Sequence, residues 1–412
     1  MGVSAIHGDG IRACRNPNCA PPGEAYGVRR AQVLNEEGFE RAQQQISQWP
    51  DYRPTPLRAL PRLAKSLGVA EVLYKDEGQR FGLKSFKALG GGYAVYRLLG
   101  QAVAAHNKGI YPSAKEILSG RWRDVAAKLT VTCATDGNHG RSVAWGAQNV
   151  GARCVIYIHQ TVSEGRRDAI ARFGAEVVRV QGNYDDSVRH AQTQAKANGW
   201  TVVSDTTYEG YRDIPIDVMH GYGVMSREIV EQIAAGQSPT HVLVQAGVGA
   251  LAASVAASFW LAWGERRLRL VVVEPSQADC HFQSAMAGRM VPVTGSLETI
   301  MAGLSCGEAS PAAWEIVGSA ANVFVAIDDR FAVAAVRAFA DPRGDDLAIV
   351  SGETGAVGLA ALMAAQESTA LRDMLGLDDK SRVLLLGSEG DTDPQIYQEI
   401  TGKTATQVLA LR

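Results

Sequence analysis

The sequence has no excess of charge of either sign and no long apolar run. Its 41 Lys and Arg against 43 Asp and Glu give a formal net charge of −2. That leaves no basic surplus to hold nucleic acid and no polybasic patch for an anionic membrane. No hydrophobic stretch reaches the length of a bilayer-crossing helix. Val242 to Trp263 comes nearest, and Gln245 with several glycines and serines interrupts it. Met1 to Gly10 lacks the apolar core of a secretory signal, and Ile6 stands where a myristoylation signal wants Ser or Thr. The expectation is a cytoplasmic protein that meets neither membrane nor nucleic acid.

Metal-ligand spacing is also missing. Cys14 and Cys19 bracket four residues, wide for half a zinc site, and no second pair follows; no metal is expected. Cys133 and Cys154 fall in apolar strand patterns and read as small core residues. Cys280 and Cys306 flank one irregular segment, and the sequence leaves open whether they pair. There is no Gly-Lys-Ser/Thr after a glycine loop and no early Gly-x-Gly-x-x-Gly with a following acid. A nucleotide P-loop and a dinucleotide-binding dehydrogenase are thereby set aside.

What is present is an ordinary globular composition, 46% hydrophobic and 20% charged over 412 residues, with 43 glycines. The length suits two or three domains. Val72–Lys75, Leu129–Cys133, Cys154–Ile158, Glu176–Val180, Thr201–Val203, His241–Gln245, Leu268–Val273, Asn322–Ala326 and Val383–Leu386 read as strands, most of them continuous valine- and isoleucine-rich runs of the kind buried on both faces. Helical patterns separate them at Pro61–Leu67, Gly140–Asn149, Glu164–Phe173, Tyr184–Asn198 and Ala250–Trp263. The class is α/β, with two domains, each a mostly parallel sheet flanked by helices. Residues to about 50 look irregular until a short helix near Asn35–Glu40, and Lys108–Arg121 reads as a surface excursion.

In such folds ligands sit beyond the carboxyl ends of strands, and the conspicuous motifs lie there. Lys84 and Lys87 precede a helix that opens on Gly90-Gly91-Gly92. A lysine amine so placed attacks carbonyls when desolvated, and either lysine qualifies. Thr135-Asp136-Gly137-Asn138-His139-Gly140 ends a strand and opens a helix, where unpaired N–H groups favour an anion such as a carboxylate; Asp136 is the odd member there. Gln245-Ala246-Gly247-Val248-Gly249-Ala250-Leu251 repeats the arrangement without side chains in the way, a phosphate cradle. Ser388 and Asp205 each follow a strand; alone, either is as readily a turn residue.

Together these motifs resemble the fold type II pyridoxal-phosphate enzymes of the tryptophan-synthase-β kind. The resemblance implies pyridoxal 5′-phosphate as cofactor, with Lys87 as its Schiff-base lysine and Asn138 at the ring oxygen. It places Ala246, Gly247, Val248, Gly249 and Ala250 at the phosphate and Ser388 at the ring nitrogen. A neutral Ser388 there suits elimination. Glu353-Thr354-Gly355-Ala356 is similar to the Glu-x-Ser-Gly-Ala stretch of the dehydratases. The implied organisation is a large cofactor-binding domain of residues 1–90 and 200–412, with a small domain of residues 91–199 inserted.

Four further stretches narrow the likeness: Arg80-Phe81-Gly82-Leu83, Asp205-Thr206 with Tyr208-Glu209-Gly210-Tyr211, Met301 to Glu308, and Ser388-Glu389-Gly390-Asp391-Thr392-Asp393. With Asp136 in place of the serine usual in serine and threonine dehydratases, the chain resembles the diaminopropionate ammonia-lyases from about residue 30 to about residue 400. This implies elimination of 2,3-diaminopropionate to pyruvate and two ammonia by a homodimer acting on a small amino acid. Lys87, Asp136 and Asp205 are then the catalytic residues, with Thr135, Asp136 and His139 at the substrate carboxylate. A serine/threonine or hydroxyaspartate ammonia-lyase is the alternative within the fold, and Asp136 speaks against it. An inactive cofactor-binding regulator is disfavoured by the intact Lys87, Asn138 and glycine loop.

Overall fold

The computed structural model describes residues 4–135, 137–234, 236–264, 268–342 and 344–411. The chain forms two compact units. The larger comprises residues 1–35, 55–79 and 225–412, the smaller residues 36–54 and 80–224.

The larger unit is built on one eight-stranded sheet. Its strands are β1 (Ala5–Gly8), β2 (Ile11–Arg15), β3 (Leu57–Ala59), β4 (Glu71–Asp76), β9 (His241–Gln245), β10 (Arg269–Pro275), β11 (Val323–Ile327) and β12 (Arg382–Gly387), in the order β1-β2-β11-β10-β9-β12-β4-β3. The run from β11 to β4 is parallel, and antiparallel strands close both edges. The central strands carry the apolar runs legible in the sequence; every residue of β9 and β11 is buried, as a parallel sheet covered on both faces requires. Leu243, Val271, Val325 and Leu385 of these strands share one core with Leu359 and Leu362 of the helix Val357–Glu367.

The first residues overturn the expectation of irregular structure. β1 and β2 form a hairpin around Asp9-Gly10, with Gly8 paired to Ile11 and Gly10 at φ 70°. Asp-Gly is the residue pair that supplies the positive φ a two-residue hairpin turn needs. β2 then pairs antiparallel with β11, setting buried Cys14 opposite Phe324.

The smaller unit has a four-stranded, wholly parallel sheet of β5 (Thr130–Ala134), β6 (Arg153–His159), β7 (Glu176–Val180) and β8 (Thr201–Val202), in the order β7-β6-β5-β8. Two of its helices, Ala88–His106 and Asn138–Val150, cross at very short range. A Cβ on Gly146 would lie 2.8 Å from the Gly92 backbone, and one on Gly91 would strike Ser142. The triple glycine therefore serves helix-to-helix contact. The Lys108–Arg121 segment holds a short helix, Ala114–Leu118, with a Ser113/Glu116 capping box. Tyr111 anchors it by donating to the Arg97 carbonyl at 3.0 Å.

All six cysteines are thiols. Burial pushes the Cys154 thiol up to about 12, so it is inert. Among the described residues no helix is long and apolar enough to cross a membrane.

Candidate active site

In the smaller unit, Lys87 immediately precedes the helix Ala88–His106. The segment leading to it is wound unusually, with Phe81 at φ 49° and Lys84 at φ 57°. Both lie in the left-handed region that non-glycine residues rarely adopt. Aromatic packing holds this turn: the Phe81 ring stacks on Trp145 at 5.1 Å and meets Trp49 at 5.7 Å. Such offset and tilted pairs contribute about 0.5–1.5 kcal/mol each beyond their buried area.

The turn delivers Lys87 to a carboxylate. Its Nζ donates to Asp205 Oδ2 at 2.6 Å, with both side chains about four-fifths buried (19% and 17% exposed). The rings of Phe86 and Tyr222 stand 5.5 and 5.7 Å from the ammonium. Burial alone would push the Asp205 carboxyl up; the Lys87 ammonium beside it outweighs burial and holds it well below the usual carboxylate range. Lys84, the other candidate amine, lies three residues earlier on the turn.

Asp205 follows β8, and Tyr211 fixes that strand end. The Tyr211 hydroxyl donates to the Val202 carbonyl at 2.9 Å and accepts from the Ser204 N–H at 3.0 Å. Tyr208 stacks on Tyr211 at 4.7 Å across a tight turn through Gly210.

The β5 loop supplies the other residues. Thr135 Oγ1 accepts from the N–H groups of Gly137 and Gly140, each at 3.0 Å, and so caps the helix Asn138–Val150. His139 donates from Nε2 to the Val203 carbonyl at 2.8 Å, since a carbonyl only accepts. Its Nδ1 lies 3.9 Å from Asp205 Oδ2. Burial holds this imidazole below its ordinary value despite the pull of Asp205, leaving it neutral near pH 7. Asp136, the proposed carboxylate of this loop, lies outside the described residues.

One residue the sequence reading passed over ties the pieces together. Buried Arg141 donates to the Leu83 carbonyl on the lysine turn and, at 2.8 Å, to Asn138 Oδ1. A guanidinium only donates, so the Asn138 amide must turn its oxygen to Arg141 and keep its NH₂ for another acceptor. The available signal was a cation three residues along a helix of mostly small and apolar residues.

The larger unit holds the glycine loop and Ser388. The loop joins β9 to the helix Ala250–Trp263, whose first N–H groups have no intrahelical acceptor. Gly249 sits at φ 92°, and a Cβ there would lie 2.5 Å from Cε1 of the His281 imidazole. A Cβ on Gly247 would lie 3.0 Å from the Gly303 carbonyl. The loop is thus held bare, a cradle of main-chain donors at a helix N-terminus that fits a phosphate. His281 Nε2 braces it by donating to the Gly247 carbonyl at 3.1 Å. Glu274, Cys280 and His281 cluster beside it. The two Glu274 oxygens accept the N–H groups of His281 and Phe282, each at 2.8 Å, which makes Glu274 a helix cap. Ser388, just past β12, is buried, and its Oγ accepts from Gln245 Nε2 at 2.6 Å.

An amine beside a carboxylate, an oriented amide, a bare anion cradle and a buried hydroxyl are the kinds of group a phosphorylated pyridine aldehyde needs. The comparisons with known proteins agree. The family model described as pyridoxal-phosphate dependent enzyme matches residues 49–388. Diaminopropionate ammonia-lyase of Escherichia coli (strain K12) is 43% identical over 353 residues, 85% of this chain and 87% of that protein. The crystal structure of the Escherichia coli enzyme in complex with D-serine has a TM-score of 0.86 at 38% identity, covering 98% of this chain and 100% of that one. Its complex with an aminoacrylate-PLP azomethine reaction intermediate has a TM-score of 0.84 at 38% identity, covering 97% and 98%. The chain belongs to the pyridoxal-phosphate dependent enzyme family and, within it, to the diaminopropionate ammonia-lyases.

Proposed function

We propose that this enzyme converts 2,3-diaminopropionate, as the D form, the L form or both, with one water into pyruvate and two ammonia. Lys87, the amides from Ala246 to Ala250, Asn138 and Ser388 would hold the cofactor. When bound, pyridoxal phosphate supplies an electron sink for the pair left at the α-carbon. The observation that carries the reading is the 2.6 Å pairing of Lys87 Nζ with Asp205 Oδ2. It sets a proton donor and a proton acceptor side by side, and elimination needs both: a base for the α-proton and an acid for the leaving β-amine.

Each residue then has a task. Lys87, once released, is a base on one face of the substrate. Asp136 takes the α-proton of the D form, and Asp205 or Lys87 that of the L form. A carboxylate also receives a leaving ammonium better than a serine hydroxyl does. The capped N-terminus of Asn138–Val150, with Thr135 and His139, suits the substrate carboxylate. A cytoplasmic homodimer completes the reading, and sedimentation would check the dimer.

The test is the absorbance spectrum of the purified enzyme before and after D- and then L-2,3-diaminopropionate, with pyruvate assayed in the same cuvette. A visible-violet band removed by borohydride, with pyruvate from diaminopropionate and little from serine, is the expected result. Keto acid from serine or threonine alone would make the protein a dehydratase.

A further inference from the structure

We propose that Gln245 is a positioning residue that commits the Ser388 hydroxyl to donate its proton to the cofactor's ring nitrogen. The inference rests on the reading above that Ser388 meets that nitrogen, and it adds what makes a serine a donor there.

Gln245 ends β9 and Ser388 follows β12, strands paired side by side through Leu243 and Leu385. Both side chains are about 1% exposed. Gln245 Nε2 lies 2.6 Å from Ser388 Oγ, 2.9 Å from the Leu386 carbonyl and 3.0 Å from the Thr354 carbonyl. Carbonyls only accept, so the amide must present its NH₂ to this cluster; reversed, it would set an oxygen against two others. The arrangement holds although the amide oxygen, Oε1, is buried and has no partner among the described residues.

The consequence falls on Ser388. Its oxygen is occupied as an acceptor of the Gln245 N–H. The two amide protons serve Ser388 Oγ and the Thr354 carbonyl, and the Leu386 carbonyl, close to the same amide, receives the Ser388 N–H at 3.0 Å. The hydroxyl proton is left to point elsewhere, to an acceptor. A pyridine nitrogen without a proton is such an acceptor. Because Gln245 is neutral, nothing in this relay calls for a protonated ring, which fits elimination chemistry. Without Gln245, the hydroxyl would turn to the Leu386 or Thr354 carbonyl and the ring nitrogen would lose its donor.

The experiment uses holoenzyme loaded with pyridoxal phosphate carrying ¹⁵N in the ring. The ring-nitrogen resonance and the cofactor Kd are measured for wild type, Gln245→Met, Ser388→Ala and the double variant. Gln245→Met and Ser388→Ala are expected to move the resonance in the same direction and to weaken the cofactor about tenfold each, the scale of one buried hydrogen bond. The double variant is expected to match Ser388→Ala alone. If Ser388→Ala moves the resonance and Gln245→Met does not, Gln245 only supports the sheet and the inference falls. If Ser388→Ala leaves the resonance unmoved, the placement of Ser388 itself is wrong. Should Gln245→Met fail to fold, Gln245→Asn, one methylene shorter, withdraws the same donor and is read the same way.

Discussion

Replacing Arg141 tests whether the lysine turn and the asparagine loop are set by one cation. Arg141 is 5% exposed, so little water can replace its bonds to the Leu83 carbonyl and to Asn138 Oδ1. A hydrogen bond to a charged group contributes about 1.5–3 kcal/mol, so Arg141→Leu forfeits about 3–6 kcal/mol. Arg141→Lys keeps the charge and reaches one acceptor, so about half of that is lost. On the proposed cofactor placement the loss falls where the cofactor would be held, because Asn138 can then rotate its amide and the left-handed turn at Phe81 and Lys84 loses its tie to the helix Asn138–Val150. At least 3 kcal/mol corresponds to about 10²-fold in cofactor Kd. Spectroscopic titration would measure it, alongside amide hydrogen exchange over residues 81–87, which should quicken in the leucine variant. A leucine variant with a lowered melting temperature, a cofactor Kd within about twofold of wild type and unchanged exchange would make Arg141 an ordinary core residue and refute the reasoning.

Three further outcomes follow. Asp136→Ala should lower kcat/KM for D-diaminopropionate by about 10²–10⁴-fold, the scale of general acid–base help, and that for the L form far less; equal losses would end the facial assignment. Asp205→Asn should destabilise the cofactor-free protein by about 1–2 kcal/mol, the worth of a charged hydrogen bond discounted for partial exposure. Because the folded-state pKa of Asp205 is depressed, its contribution is complete above the unfolded value of about 3.9 and is lost as the pH falls further. Urea midpoints of the two proteins should therefore differ most at pH 6, and the gap should begin to narrow once the pH falls below about 4; a gap as large at pH 3 as at pH 6 would deny the ion pair. Gly249→Ala puts a Cβ 2.5 Å from the His281 ring at φ 92° and should weaken cofactor binding at least tenfold, by about 1–2 kcal/mol of left-handed strain plus displacement of the ring. Gly199→Ala, at φ 66° with open space around it, should leave binding unchanged; equal effects would mean that strain alone, not the cradle, is being measured.

Much of this architecture is legible in the chain, for a simple reason. Strands buried on both faces are dominated by apolar residues, so His241–Gln245 appears in the structure with the bounds its composition suggests; Glu176–Val180 keeps its bounds too, but as an edge strand with no fully buried residue, not one covered on both faces. The helices Pro61–Leu67, Tyr184–Asn198 and Ala250–Trp263 keep their bounds as well. The β1–β2 hairpin escaped because its strands are short and only two of their residues, Ala13 and Cys14, are buried. Its turn, Asp9-Gly10, was the better signal. The capping box Ser113-x-x-Glu116 was likewise readable in a segment whose hydrophobic pattern is weak.

The site divides along a different line. Groups that meet the cofactor or substrate are few in kind, and chemistry requires them next to strand ends, so lysine, asparagine, serine and glycine loops can be found by type and place. Groups that orient them carry no such mark. Gln245 acts on a residue 143 positions away, Arg141 on a carbonyl 58 away, and Tyr211 on the backbone that carries Asp205. Each bond exists only because a sheet register or a helix crossing brings distant backbone together, and a glutamine or an arginine beside a motif looks the same whether or not that happens. Asn138 shows the cost of reading the motif alone. Its residue type suits a phenolic oxygen, but which end of its amide can be presented to one is decided by Arg141. The same holds for Ser388, whose hydroxyl can donate or accept until Gln245 chooses. The directionality of these hydrogen bonds is therefore a property of the fold, and substitutions at the orienting residues should change protonation and affinity while the residues that touch the cofactor stay in place.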